Sequence, residues 1–190
     1  MSVEILQTIE AFLRVIDKFI NLLKRADRDK QQLFKEFVEP LFVELQPVVD
    51  DYFTLFLRSR ELVRNEQKQN LKKAVEEIVR ARDHLLRTRI KIIALATTAE
   101  KEINDKKITD FCQKVVRFFF STQSFEGGKL YIEATSHAAR LIELLDYVVE
   151  GRLDKGELLA YIDRTLKNLE NSFVAIAQSY ASLRIRCLKS

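Results

Sequence analysis

The 190-residue sequence has little of what interrupts helices, with four glycines and two prolines where average usage would be about 7% and 5%. Glycine and proline punctuate turns, so their scarcity predicts a few long helices joined by few loops. Cysteine is also scarce, since Cys112 and Cys187 are the only two. Two thiols so far apart do not make a disulfide framework, and they predict a reducing, cytoplasmic location.

Long apolar runs are missing as well. The longest, such as IIALA at 92–96, span little more than one helical turn, against the ~18 residues of a transmembrane helix. The first residues include Glu4 and carry no basic segment of the kind that opens a signal peptide. We therefore expect no integral membrane insertion and no export. The length, with 47% apolar and 32% charged residues, predicts one globular domain over residues 1–190.

Apolar residues recur at three- and four-residue intervals through most of the chain, which is the period of an amphipathic helix. The clearest register runs from about 31 to 64 and passes through Pro40 and Pro47. A proline costs about 3 kcal/mol inside a helix, so we expect a kinked or broken helix whose pieces share one buried face. The residues of that face are Phe34, Phe37, Val38, Leu41, Leu45, Val48, Val49, Tyr52 and Phe56.

Four more long helices and one short helix follow from the same period, and no alternating strand pattern occurs. Thr109 is the expected N-cap of the short helix. Gly151 is the expected C-cap of the helix at about 129–150. A helix of about 33 residues is about 50 Å long, so such helices can bury their apolar faces only side by side. The predicted fold class is all-α, an antiparallel helical bundle with long helices in four to six segments. The long helices are expected at about 3–26, 71–103, 129–150 and 155–187.

Catalytic and metal-binding motifs are missing from the sequence, which has no HExxH, CxxC, P-loop, GxGxxG or GxSxG. Its two histidines, His84 and His137, cannot supply the paired ligands of a di-metal bundle. We therefore expect no enzymatic activity, no metal and no small-molecule cofactor. His137 falls on the apolar stripe of its helix, one turn after Glu133. A core histidine satisfied by a neighbour fits this position, and the alternative, a metal ligand, lacks two further ligands.

Positive charge concentrates in one segment. Residues 58–91 carry 11 Lys/Arg and 5 Asp/Glu, a net charge of +6, whereas the whole chain carries only +4. The cations of this segment form a basic face on the predicted helix 71–103, interrupted by acidic residues. A solvated face with i,i+4 pairs has this pattern, and so does a surface that contacts phosphates of nucleic acid or another polyanion. The candidate contacts are Lys73, Arg80, Arg87 and Lys91.

Arg82 and Arg89 are a polar anomaly, because both fall in the middle of the apolar stripe of the same predicted helix. An unpaired buried charge costs several kcal/mol, so each guanidinium needs an explanation. Three explanations stay open. The side chains snorkel past small neighbours to solvent, they pair with acids at the margins of other helices, or they line a groove for an acidic partner or a phosphate.

The run VVRFFFSTQSF contains three consecutive phenylalanines, which cannot all face the same way on a helix. Phe120 and Phe125 lie beside the loop with the two adjacent glycines. They are a candidate apolar contact for a partner, and local packing is the alternative.

The clean helical periodicity and the missing catalytic motifs favour a non-enzymatic, cytoplasmic helical-bundle module. We expect it to act as an adaptor that binds a protein partner or associates with itself. The alternative is a nucleic-acid-binding accessory protein that uses residues 58–91. A membrane-active bundle is less favoured, because no helix shows the aromatic face rimmed with Lys and Arg that interfacial anchors have.

Overall fold

A computed structural model describes residues 30–65, 68–81, 85–120 and 137–188. Of these residues 92% are helical, and no strand occurs among them. The fold is an all-α helical bundle with long helices, so the predicted class is confirmed; the predicted helix at about 3–26 lies outside the described residues. No helix in the described part of the chain is long and apolar enough to cross a membrane. The six helices are α1 (Glu39–Asn65), α2 (Lys68–Ala81), α3 (Leu86–Glu102), α4 (Lys106–Phe118), α5 (His137–Val149) and α6 (Lys155–Leu188).

The segment with the two prolines is helical throughout, but it is not uniform. One α-helical turn, Lys30–Leu33, leads into a π-helical stretch, Phe34–Val38, in which the N–H of Glu39 donates to the carbonyl of Phe34. This wide turn directly precedes Pro40, and Pro47 lies inside α1 without ending it. All nine residues of the predicted apolar face are buried, so the prediction of one shared face is confirmed.

Contacts between Cα atoms divide the chain into two compact units. Unit 1 consists of residues 1–46, 88–116 and 176–190, and unit 2 of residues 47–87 and 117–175. The expectation of one domain over residues 1–190 stays a prediction.

Unit 1 has an aromatic contact in its core. The ring of Tyr180, on α6, stacks on Phe42 of α1 with 4.1 Å between centroids and an angle of 7°. The Phe34 ring lies 5.5 Å from the same tyrosine, whose hydroxyl also donates to Glu39 at 3.4 Å. Such aromatic pairs contribute about 0.5–1.5 kcal/mol beyond the area they bury. This contact fixes α6 against the start of α1 within unit 1.

The turn before α4 is capped by Asp105 and not, as the sequence predicted, by Thr109. The Oδ1 atom of Asp105 accepts hydrogen bonds from the N–H groups of Lys107 and Ile108, so α4 begins at Lys106. The carboxylate of Asp105 also accepts hydrogen bonds from both terminal nitrogens of Arg186 on α6, at 3.0 and 2.8 Å. Burial alone would raise the pKa of Asp105, but these hydrogen bonds hold the pKa below its ordinary value.

The prediction of Thr109 was wrong because a threonine just before an apolar run resembles a cap equally well. In the structure its hydroxyl donates to the carbonyl of Asp105, one turn back, at 3.0 Å. This is the usual behaviour of a threonine inside a helix.

In unit 2, α2 packs on α5, and the Tyr52 ring meets Phe118 and Phe119 edge to face. Gly151 ends α5 with a positive φ of 75°. Its N–H donates to the carbonyl of Val148, and the next N–H donates to the carbonyl of Tyr147. These two bonds form a Schellman motif, so the predicted C-cap is confirmed.

Candidate functional site in unit 2

An open cavity of about 600 Å³ lies within unit 2. Its wall is formed by the end of α4 with the residue just beyond it, by the start of α5 and by the middle of α6. The described residues of the lining are mostly polar or basic, and none of them is acidic. The lining residues are Arg117, Phe120, His137, Arg140, Tyr161, Arg164, Thr165, Asn168, Asn171 and Ser172.

Helix α6 contributes one continuous face to the cavity. Its lining residues recur at intervals of three and four, so they follow one side of an α-helix. This side adjoins the buried stripe that contains Leu158, Ile162 and Leu169. Thr165 lies at the boundary and is itself buried. The apolar stripe therefore fixes the direction in which the polar face points.

Three guanidinium groups line the cavity, and they differ in their surroundings. Arg140 donates to Glu143, one turn along α5, at 2.6 Å, and this hydrogen bond raises the pKa of Arg140. Arg164 donates from Nε to the carbonyl of Ala160 on its own helix. Neither Arg117 nor Arg164 forms an ion pair within the described residues. Two of the three cations are therefore not neutralised by a described carboxylate.

His137 and Tyr161 supply polar atoms that are buried at the cavity. The His137 side chain is 9% exposed, and its Nδ1 atom makes no hydrogen bond within the described part of the chain. Burial lowers the pKa of His137 to about 4, so the imidazole is neutral at pH 7. The Tyr161 hydroxyl is likewise buried and without a hydrogen bond of good geometry to a described residue. Burial raises the pKa of Tyr161, and the neighbouring Thr165 opposes this shift.

This arrangement suits an anion. Guanidinium groups present forked N–H donors that match carboxylate and phosphate oxygens, and they stay charged at any physiological pH. Side-chain amides and hydroxyls on α6 add neutral donors around the same space. A buried polar atom without a partner is costly, and a ligand oxygen or N–H group can supply a partner to Nδ1 of His137.

Two residues singled out in the sequence meet at this cavity. His137 lies on the stripe of α5, as predicted, and Phe120 lies just beyond α4, where it is only partly buried. The predicted neighbour of His137, Glu133, lies outside the described residues, so a core histidine satisfied by a neighbour stays a prediction. Phe125 lies outside the described residues.

Arg89 is buried, with 4% of its surface exposed. Its head is therefore not in solvent, and snorkelling does not account for it. Arg89 does form an interaction within the structure. Two explanations for its burial therefore remain: pairing with an acid on another helix, or lining a groove for an acidic partner or a phosphate. Arg82 lies outside the described residues, so the predicted pair cannot be compared as a pair.

The four residues of the predicted basic face belong to two different units. Lys73, Arg80 and Arg87 are exposed and belong to unit 2. Lys91 belongs to unit 1, where it is partly buried and donates to Glu44 on α1 at 2.5 Å. The single predicted helix 71–103 corresponds to α2 and α3, with residues 82–84 outside the described part.

Sequence reasoning missed the three arginines of the cavity. The sequence did contain a signal for Arg164. In YIDRTLKNLENS, polar residues at 161, 164, 165, 168, 171 and 172 share one face of a helix. Arg117 and Arg140 had no such signal, because only the packing of unit 2 brings them to that face.

Among the described residues there is no group of three or more His, Cys, Asp or Glu side chains placed to hold a metal ion. Comparison of the chain with protein-family models, with curated proteins and with solved structures finds no match. The site itself therefore carries the functional argument.

Proposed function

We propose that this chain is a non-enzymatic interaction module that holds an anionic group of a protein partner in the cavity of unit 2. The observation that carries this proposal is the lining: among the described residues, three arginines and no acidic residue line a space of about 600 Å³. Sites for small organic ligands commonly have volumes of about 300–1,000 Å³. Charge and donor chemistry favour an anionic occupant, and the size of the cavity is compatible with an organic group that carries the anion.

Binding is favoured over catalysis by the chemistry of the lining residues. A general acid or base needs a pKa near the working pH. Arginine side chains do not act as proton donors or acceptors in proteins, burial raises the pKa of Tyr161, and burial lowers the pKa of His137. None of these groups exchanges protons readily near pH 7, whereas all of them can orient a bound anion. Cys112 and Cys187 are buried free thiols, which supports a reducing cytoplasm as part of this proposal.

A nucleic-acid-binding accessory protein is the second candidate, because Lys73, Arg80 and Arg87 are exposed cations of one unit. Two observations weigh against it. The fourth predicted contact, Lys91, belongs to the other unit and is bonded to Glu44, and the same exposed surface of α2 carries Glu76 and Glu77. A carboxylate beside a phosphate contact is repulsive.

Two matched charge reversals separate these candidates. The cavity variant is Arg117→Glu with Arg164→Glu, and the segment variant is Arg80→Glu with Arg87→Glu; both change the net charge equally. The protein probes are fluorescein-labelled peptide pools with randomised flanks, whose central residue is glutamate, phosphoserine or alanine. The nucleic-acid probes are a labelled DNA duplex and a single strand, at ~50 mM salt where phosphate contacts are strongest.

We expect the anion-centred pools to bind the wild type more tightly than the alanine pool. The cavity variant should lose this preference and the segment variant should keep it. Duplex or single-strand binding that depends on salt and is lost only in the segment variant would contradict the proposal and favour the second candidate. Equal binding of all three pools would remove the cavity as a recognition site.

A further inference from the structure

We infer that the anionic group held by the cavity is a phosphate monoester, such as a phosphorylated serine or threonine side chain of the partner. This inference rests on the proposed function and narrows it to one chemical class. Three features of the described residues carry it: the residual charge of the cavity, the donors that line it and its volume.

The residual charge matches a dianion. Arg117, Arg140 and Arg164 contribute three positive charges to the lining, and Glu143, bonded to Arg140, contributes one negative charge just outside it. Three positive charges and one negative charge leave +2. A phosphate monoester carries about −1.5 to −2 at pH 7, and a carboxylate carries −1. A carboxylate would leave one guanidinium uncompensated, whereas a phosphate monoester compensates both.

The donors match a group with three terminal oxygens. Arg117 and Arg164 lie on different helices, α4 and α6, and both line the cavity. A planar carboxylate has two oxygens, which one arginine fork can satisfy. A phosphate has a third strong acceptor, and this oxygen can meet a second fork or the amides of Asn168 and Asn171 on α6.

The volume favours an ester over free inorganic phosphate. The cavity measures about 600 Å³, which is the size of sites for organic ligands and larger than an inorganic phosphate fills. Phe120 provides an apolar aromatic side chain beside the polar and basic residues of the lining. It can contact the carbon atoms that carry the phosphate. A free inorganic anion would leave that side chain in water.

Between about pH 7.5 and pH 5 a bound phosphate monoester changes its charge, whereas the side chains that line the cavity keep theirs. From α4 and α6 the lining presents Arg117, Arg164 and Tyr161, and from α5 it presents His137 and Arg140. Arginine and tyrosine side chains do not ordinarily change charge over this range, and burial lowers the pKa of His137 to about 4, below the range. A phosphate monoester has its second pKa near 6, so it loses about one charge on acidification, while a glutamate side chain stays ionised.

The test compares the phosphoserine and glutamate pools on the wild-type chain by fluorescence anisotropy at about pH 7.5 and pH 5. We expect the phosphoserine pool to bind at least ~10-fold more tightly at pH 7.5, a difference of about 1.4 kcal/mol. At pH 5 that preference should fall several-fold, because most of the ester is then a monoanion. Circular dichroism at both pH values confirms that the chain stays folded.

Variants connect the preference to the cavity. Arg117→Gln with Arg164→Gln removes both uncompensated forks with little change of volume, and it should abolish the preference. Arg80→Gln with Arg87→Gln is the matched control and should leave it unchanged. Phenyl phosphate is added as a competitor, and its binding to the wild type is measured alone by calorimetry.

Each outcome decides one part of the argument. Equal binding of glutamate and phosphoserine pools, both lost in the cavity variant, overturns this inference and leaves the proposed function standing. Binding of phenyl phosphate at the cavity without binding of any peptide pool supports the monoester and overturns the protein partner. A phosphoserine preference that survives in the cavity variant places the phosphate elsewhere and overturns the inference.

Discussion

Replacement of His137 by glutamine should make the stability of the chain less sensitive to acid. His137 is 9% exposed at the wall of the cavity, and burial lowers its pKa from 6.5 to about 4. In the unfolded chain the same imidazole titrates near 6.5. Between these two values the unfolded state binds one more proton than the folded state, so the free energy of unfolding rises with pH.

The magnitude follows from the size of the shift. One pKa unit corresponds to 1.36 kcal/mol, so a fall from 6.5 to about 4 corresponds to about 3 kcal/mol. The contribution of the neutral His137 to the free energy of unfolding is fully present above about pH 6.5, and it is lost as the pH falls toward about 4. Glutamine is polar, neutral and of similar size, so His137→Gln removes the proton linkage and keeps most of the packing.

The assay is urea unfolding of wild type and His137→Gln at about pH 7, 6, 5 and 4, at constant ionic strength and without phosphate or sulfate. The difference between the two chains at each pH isolates His137, because all other groups titrate in both. We expect the wild type to lose about 3 kcal/mol relative to the variant between pH 7 and pH 4. His84→Gln, which alters the other histidine, is the control for a general effect of losing an imidazole.

A flat difference between wild type and variant across this range would refute the reasoning. It would mean that the folded chain accommodates the imidazolium, and that the histidine at the cavity is hydrated or paired. A difference of the opposite sign would mean that a carboxylate faces the ring, which would also contradict an anion site.

Three further predictions concern the fold. Asp105→Ala should cost about 2 kcal/mol in urea unfolding, because it removes an N-cap and the partner of Arg186, whereas Arg186→Met, which leaves the cap intact, should cost less. Gly151→Ala should cost about 1–2 kcal/mol, because the φ of 75° is unfavourable for a residue with a Cβ atom; an unchanged midpoint would contradict the Schellman assignment. In a Cys187→Ser chain, Cys112 should react with a thiol reagent only after unfolding, because it is fully buried and its pKa is raised to about 12; rapid labelling of the folded chain would contradict that burial.

The buried faces were predictable from the sequence because they depend on a single helical period. Every apolar residue assigned to the face of the second predicted helix is buried, including those on both sides of Pro40 and Pro47. Gly151 was predictable for a related reason, since a left-handed C-cap is a local requirement. The cap at Asp105 was not, because Asp105 and Thr109 both precede apolar residues and are both residue types that cap helices, so the sequence pattern does not say which of them accepts the backbone N–H groups.

The cavity could be predicted only in part. His137 was recognised because a polar residue on an apolar stripe breaks the period, and Phe120 because it falls off its stripe. Arg117, Arg140 and Arg164 break no pattern, since each is a cation at a position that is compatible with solvent. Their convergence depends on which helices of unit 2 are neighbours, and a helical period carries no information about neighbours.

The binding of an anion between Arg117 and Arg164 is the central claim, and the Nε–Hε resonances of the arginine side chains test it most directly. The ¹⁵N-labelled chain is titrated with phenyl phosphate, and the resonances are assigned by single replacements with lysine. We predict saturable shifts of Arg117 and Arg164, and none of Arg184, an exposed arginine of unit 1. Small shifts of all three that grow without saturation would show only weak attraction to surface charge, and would contradict the claim.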